Sequence, residues 1–121
     1  MCSELDRVCT GIERKIIKSG KSDAFGLKIQ NLLDGQDFHI DIGRPTPSGY
    51  TNKKIPIQSD SLIVDPKTTS IFLEKGEEKI LVIKIQVPLN TQSGIYVFEV
   101  EIKTSDGTNY SGLQKLYVDV I

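Results

Sequence analysis

The chain has 121 residues, of which 38% are hydrophobic and 26% are charged. This composition is that of one soluble globular domain, and it excludes a disordered or membrane-embedded chain. The 15 basic and 16 acidic residues give a net charge of −1. We therefore predict no nucleic-acid partner, because nucleic-acid binding usually needs a basic surplus.

The N-terminal segment carries mixed signals. Leu5, Val8 and Ile12 fall at helical spacing, which predicts a short helix over residues 4–10. A first strand is then expected near residues 12–17, where apolar and polar side chains alternate. The residues before the first strand are therefore expected to form either this short helix or an N-terminal extension.

Cys2 and Cys9 are the only cysteines of the chain. In a continuous helix their Cα atoms would lie about 10 Å apart, beyond the reach of a disulfide. A Cys2–Cys9 bridge would therefore need an irregular N-terminal loop and an oxidising compartment. The alternative is two free cysteines, and two cysteines without a nearby histidine do not predict a zinc site.

Strand signals follow at intervals of about a dozen residues. Apolar residues alternate with polar ones over 25–30 and again over 37–42. The Asp34-Gly35 pair between them is a turn signal, so the two runs predict a β-hairpin.

Residues 43–60 contain three of the five prolines and predict a long connection, with a short edge strand around Ile55 to Ile57. Loops at the end of a rigid scaffold often carry binding. Tyr50, Lys53 and Lys54 are therefore candidate contact residues. The alternative is a crossover between sheets that buries the two isoleucines.

The strongest pattern lies in residues 77–103, where two long alternating runs flank a turn. One polar and one apolar face are typical of an antiparallel strand packed on a core. Pro88 is expected to end the first run because it cannot donate to a ladder. We expect a positive φ at Gly94. Tyr96 lies near the start of the second run, where a tyrosine corner is found. Its hydroxyl is expected to form a hydrogen bond with the backbone of residues 90–92.

Shorter apolar runs at 62–64 and 70–73, with a last strand at 116–120, bring the total to about seven strands. We therefore predict an all-β fold, an immunoglobulin-like β-sandwich of antiparallel strands. The sandwich is expected to span residues 12–121, after an extension or short helix over residues 1–11.

The chemistry-bearing residues form no recognisable catalytic pattern. His39, the only histidine, lies on the polar face of its predicted strand, and no nucleophile motif accompanies it. Asp34, Asp37 and Asp41 could offer oxygen ligands to calcium, but their spacing matches no known loop. We predict no catalytic residue, no metal site and no cofactor. Asn109 begins an Asn-Tyr-Ser sequon in a predicted turn and is a candidate glycosylation site.

Four segments together resemble the Ig-like domains of archaeal and bacterial surface proteins. They are SGKSDAFGLKIQN (19–31), DFHIDI (37–42), IFLEKGEEKILVIKIQVP (71–88) and SGIYVFEVEI (93–102). The resemblance covers roughly residues 12–121 and rests on turn and packing motifs. It implies the same fold and a surface location, and it brings no catalytic residues. The N-terminal segment also resembles the start of the head domain of an archaeal pilin-like protein.

This resemblance favours a non-catalytic module of a microbial surface protein, with a role in adhesion or in filament or envelope assembly. Its partner would be a protein or a glycan. Two alternatives are a carbohydrate-binding accessory domain of a secreted hydrolase and an intracellular Ig-like adaptor. MCSELDRVC lacks the features of a secretion signal. Either the protein is cytoplasmic, or a signal or anchor has been removed, and membrane contact would then need an anchor absent from this sequence.

Overall fold

The structure is a computed structural model that describes residues 7–43, the backbone of residues 46–47, and residues 62–121. These residues form ten strands joined by turns and loops, and no helix. The strands are β1 (Val8–Thr10), β2 (Arg14–Ile17), β3 (Ser22–Gln30), β4 (Gln36–Ile42), β5 (Thr46–Pro47), β6 (Ile63–Asp65), β7 (Thr68–Leu73), β8 (Glu78–Gln86), β9 (Gly94–Lys103) and β10 (Gln114–Val120).

The strands form two sheets. One has the order β1-β3-β8-β6, and the other has the order β2-β10-β9-β4-β7, with β5 beside β9. All of these neighbours are antiparallel except β2 and β10, which run parallel. The predicted Ig-like β-sandwich is thus confirmed, with more strands than the seven expected from the sequence.

The core lies between the two sheets and is built from alternate residues of the long strands. Phe25 in β3, Ile83 in β8 and Phe98 in β9 are each almost completely buried. Their neighbours along each strand point outward, as the period of two requires. The alternation in residues 77–103 therefore predicted the buried faces of both β8 and β9 correctly.

The predicted N-terminal helix is wrong over the described residues, because Val8–Thr10 form strand β1. Val8 and Thr10 are buried, and the Arg7 carbonyl accepts a hydrogen bond from the Gln30 backbone 2.8 Å away. Burial of alternate residues against β3 outweighs the helical spacing of the apolar side chains. Cys9 is disulfide-bonded, whereas Cys2 lies outside the described residues.

The predicted hairpin of residues 25–30 with 37–42 is also wrong. Strand β3 belongs to the four-stranded sheet and pairs with β1 and β8, whereas β4 lies in the other sheet. The Asp34-Gly35 turn therefore lies in a crossover between the sheets. The two long runs in residues 77–103 are likewise separated, with β8 in one sheet and β9 in the other.

Two of the changes between sheets occur across gaps of three residues or fewer. Strand β1 pairs with β3 in one sheet, and β2 pairs with β10 in the other after a gap of residues 11–13. The same change occurs between β6 and β7, where the Asp65–Pro66 peptide bond is cis. The second change places β7 at the outer edge of the larger sheet.

Candidate interaction site

Strand β7 lies at one edge of the larger sheet in the described part of the chain. It pairs with β4 on one side, and no strand pairs with its other side in the part of the chain that the structure describes. It contains six residues, TTSIFL, and none of them is charged.

Two hydrogen bonds fix which backbone groups of β7 face outward. The Ile42 N–H donates to the Lys67 carbonyl, and the Gly43 N–H donates to the Glu99 carbonyl in β9, both at 2.8 Å. In an antiparallel ladder, alternate residues of a strand bond to opposite neighbours. Even-numbered residues of β4 therefore bond to odd-numbered residues of β7. The N–H and C=O groups of Thr68, Ser70 and Phe72 consequently point to the side of β7 opposite β4.

The side chains of the same three residues lie on the outer face of the sheet. The Phe72 ring is 56% exposed, beside Gly35. The Ser70 hydroxyl lies 2.7 Å from Nδ1 of His39, its cross-strand neighbour. His39 thus takes part in a surface hydrogen bond on the exposed face, where the sequence placed it.

The other edge strands are shorter or charged. Strands β1 and β6 have three residues each, and β2 has four, of which Arg14 and Lys15 are charged. Natural sheets usually protect their edges with short strands or charges, because exposed backbone groups template pairing with another chain. Strand β7 is the one edge in the described residues that lacks both protections.

A buried asparagine anchors the C-terminal end of β7. The Asn31 amide donates to the carbonyls of Leu73 and Asp34 at 2.8 and 2.9 Å, and its Oδ1 accepts from the Leu33 N–H at 2.8 Å. The Asn31 carbonyl also accepts from the Gly76 N–H at 2.6 Å. The crossover after β3 and the turn after β7 are therefore held together, which fixes the position of the edge.

Tyr96 is fully buried, and its hydroxyl donates to the Gln92 carbonyl 2.9 Å away. The acceptor lies in the segment that the sequence predicts for a tyrosine corner. Pro88 follows β8 and ends its ladder. In the turn, Asn90 has a left-handed φ of 66°, and Gly94 has the expected positive φ, at 157°.

Tyr110 has a structural role that the sequence analysis missed. Its hydroxyl donates to the Gln30 carbonyl at 2.5 Å and accepts from the Leu32 N–H at 2.9 Å. The ring lies edge-on to Phe38, with centroids 4.7 Å apart, and the Arg7 guanidinium lies 4.9 Å from the ring centre. Tyr110 thus joins the β9–β10 connection to the crossover between the sheets, a long-range contact that leaves no local signal.

The turn before Tyr110 is organised by Asp106. Hydrogen bonds from the hydroxyls of Thr104 and Thr108 lower the pKa of this exposed carboxyl to about 2. Asn109 follows this turn with its side chain exposed, opposite Lys103 in an isolated bridge. The sequon asparagine is therefore accessible in the folded chain.

The remaining predicted contact residues, Tyr50, Lys53 and Lys54, lie outside the described residues, as does the predicted strand at Ile55 to Ile57. Within the described ranges, no group of three or more His, Cys, Asp or Glu residues is placed to hold a metal ion. The same ranges contain no helix long and apolar enough to cross a membrane.

Comparison with models of known protein families and with curated proteins gives no match. Solved structures match with low sequence identity. A family 123 glycoside hydrolase from Clostridium perfringens matches 89% of this chain at 12% identity, with a TM-score of 0.66. The PapD-like domain 7 of human CEP192 matches 100% of this chain at 14% identity, with a TM-score of 0.59.

A structure of the Salmonella enterica SafA pilin in complex with the SafB chaperone matches 98% of this chain at 11% identity, with a TM-score of 0.58. The present chain spans 22% of the hydrolase chain, 89% of the CEP192 chain and 57% of the chain from the pilin–chaperone complex. At these identities the likeness shows a shared fold, the PapD-like form of the Ig-like β-sandwich.

Proposed function

We propose that this chain is a non-catalytic Ig-like interaction module that binds a protein partner by strand addition along the free edge of β7. The observation that carries this proposal is the row of outward N–H and C=O groups at Thr68, Ser70 and Phe72. An extended segment of a partner would satisfy these groups and gain main-chain hydrogen bonds. The exposed Phe72 ring offers it an apolar contact beside that ladder.

The comparisons support a protein partner without identifying it. One of the matching structures is a pilin in complex with its chaperone, so this fold occurs in an assembly of two proteins. A fold alone does not determine function. The assignment to β7 therefore rests on the backbone geometry of this chain.

We place the module outside the cytoplasm, on a microbial cell surface, in adhesion or in filament or envelope assembly. The disulfide at Cys9 supports this location, because disulfides persist in oxidising compartments. The resemblance to archaeal and bacterial surface domains supports the same setting. Tyr50, Lys53 and Lys54 are proposed as a second contact region, and a glycan is the alternative partner there.

The edge is tested by photo-crosslinking in cells of the source organism. A photoreactive phenylalanine replaces Phe72 at the edge in one variant and Ile80 on the outer face of the opposite sheet in another. Ile80 is 64% exposed, so it controls for random encounter. We expect a covalent adduct with a polypeptide from position 72 and none from position 80.

A second substitution separates strand addition from side-chain contact. Ser70→Pro removes an outward N–H that β4 does not use, and it is expected to abolish the adduct at position 72. Ser70→Ala removes the hydroxyl, keeps the N–H and should preserve the adduct. An adduct that survives Ser70→Pro, or equal yields from positions 72 and 80, would contradict strand addition at β7.

A further inference from the structure

The outward edge of β7 is suited to antiparallel pairing with the same strand of a second copy. Lys67 precedes the strand, Glu74 follows it, and both side chains are exposed. Antiparallel pairing of two identical strands would bring the Lys67 end of one copy to the Glu74 end of the other, with the two charged residues one position out of direct opposition. Parallel pairing would instead place like charges together. Surface charges contribute little affinity, but opposite signs at each end favour the antiparallel orientation.

We propose that the partner strand is β7 of a second copy of this chain, so that the two larger sheets join edge to edge about a two-fold axis. This inference rests on the proposed function, because it names the partner that adds its strand. The six residues between the flanking charges are uncharged, so no internal charge opposes the pairing.

The outward backbone groups select the register. When Ser70 lies opposite Ser70 of the second copy, Thr68 lies opposite Phe72, and all three outward residues of each strand enter hydrogen-bonded pairs. A shift of two residues in one direction places Phe72 opposite Pro66, which has no N–H to donate. The opposite shift places Thr68 opposite Glu74, which lies beyond the end of β7, so fewer outward residues of the two strands pair.

The side chains fit the Ser70-centred register. The two serines at the axis are small, so the strands can approach closely. Each Phe72 ring would lie across the methyl group of Thr68 of the second copy, which covers a ring that is 56% exposed in the single chain. Aromatic and β-branched residues make favourable cross-strand pairs.

The interface would be small, because it involves three outward residues from each strand. Contacts that bury less than about 1,200 Å² are weak and transient. We therefore expect a dimer that forms at high concentration and is favoured where copies are crowded.

The first measurement is sedimentation of the full chain between about 10 µM and about 1 mM, a range suited to a weak contact. We expect the average mass to rise from 13.4 kDa toward twice that value. Ser70→Pro should abolish the rise and Ser70→Ala should retain it. A chain that stays monomeric at the highest concentration, or a Ser70→Pro variant that still associates, would overturn the proposal.

The second measurement tests the register with introduced cysteines. In the proposed pairing the two Ser70 Cα atoms lie about 5.5 Å apart, within disulfide reach. The Thr68 residues of the two copies would lie four positions, or about 13 Å, apart along the strand direction. Ser70→Cys should give a reducible dimer as the main oxidation product, and Thr68→Cys should not. Equal cross-linking of the two variants would contradict the register and the proposal.

These outcomes are distinct from failure of the proposed function. A monomeric chain whose position 72 still cross-links to a different polypeptide would show strand addition by another partner. That result would reject the second copy and leave the interaction edge intact. Absence of both the dimer and the cross-link would reject both.

Discussion

The side-chain amide of Asn31 donates to the backbone carbonyl of Leu73, 2.8 Å away and 42 positions along the chain. Asn31 directly follows β3 of one sheet, and Leu73 is the last residue of the edge strand β7 of the other. The bond therefore ties the two sheets together at the end of β7. An amide can do this because it donates twice and accepts once within one buried site.

Replacement of Asn31 by alanine should be strongly destabilising. It removes three side-chain hydrogen bonds and leaves the Leu73 carbonyl buried without that partner, so we expect a loss of about 3 kcal/mol in the free energy of unfolding. Denaturant unfolding measures the change. Asn109→Ala is the matched control at an exposed asparagine and should stay within about 0.5 kcal/mol. Equal effects at the two positions would show that the Asn31 bonds contribute nothing specific.

The Tyr96 hydroxyl is expected to contribute measurably to stability. Tyr96→Phe leaves the ring in the core but removes the donor to the Gln92 carbonyl, at a cost of about 1 kcal/mol or more. The measurement is the unfolding midpoint. Tyr117→Phe, at a half-buried position on the outer face, serves as the control. An unchanged midpoint for Tyr96→Phe would remove the proposed role of the hydroxyl.

Two proline substitutions test the direction of the β7 backbone groups. Ile71→Pro removes an N–H that faces β4 and should cost about 3 kcal/mol or more, whereas Ser70→Pro removes an outward N–H and should cost far less. Thermal unfolding of both variants checks the difference. If Ser70→Pro unfolded the chain as readily as Ile71→Pro, the alternation inferred from the Ile42 and Gly43 hydrogen bonds would be wrong.

The Asp106 turn should respond to acid. The lowered pKa, about 2, means that folding favours the carboxylate, so its stabilising contribution is present above the ordinary value of 3.8 and disappears as the pH falls through about 2. NMR titration of the side-chain carboxyl measures this pKa directly. Thr108→Ala removes one of the hydroxyl donors and should raise the pKa. A titration at the ordinary value in the unmodified chain would contradict the hydrogen bonds in this turn.

Asn109 is expected to accept a glycan when the chain passes through a pathway that modifies Asn-X-Ser sequons. The side chain is exposed after a tight turn, so a glycan meets solvent and not the core. Mass spectrometry of native material checks occupancy, and Ser111→Ala should abolish it without loss of folding. If Asn109 carried no glycan in any exported native protein, the predicted glycosylation site would be wrong.

Alternating hydrophobicity was sufficient to predict the fold class and the buried face of each long strand. The alternation records which side chains meet the core, and the core of a sandwich is shared by both sheets. It therefore cannot say which sheet a strand joins, which is why residues 25–30 and 37–42 were wrongly predicted to pair. The choice of sheet depends on contacts between residues distant in the chain.

The candidate site was less predictable than the fold. Tyr96 could be proposed from its position near the start of a strand, because its hydroxyl bond is local. The free edge of β7 could not, because TTSIFL resembles any short strand until its neighbours are known. Tyr110 and Asn31 were missed as structural ties because their partners lie far away in sequence.

The parallel pairing of β2 and β10 has a mechanical consequence. The two strands run side by side in the same direction, with Arg14 opposite Tyr117 and Ile17 opposite Val120. Tension applied between the start of β2 and the end of β10 would slide one strand along the other and strain their hydrogen bonds together. A domain linked in series through these two strands would resist stretching more strongly than one whose terminal strands separate one bond at a time.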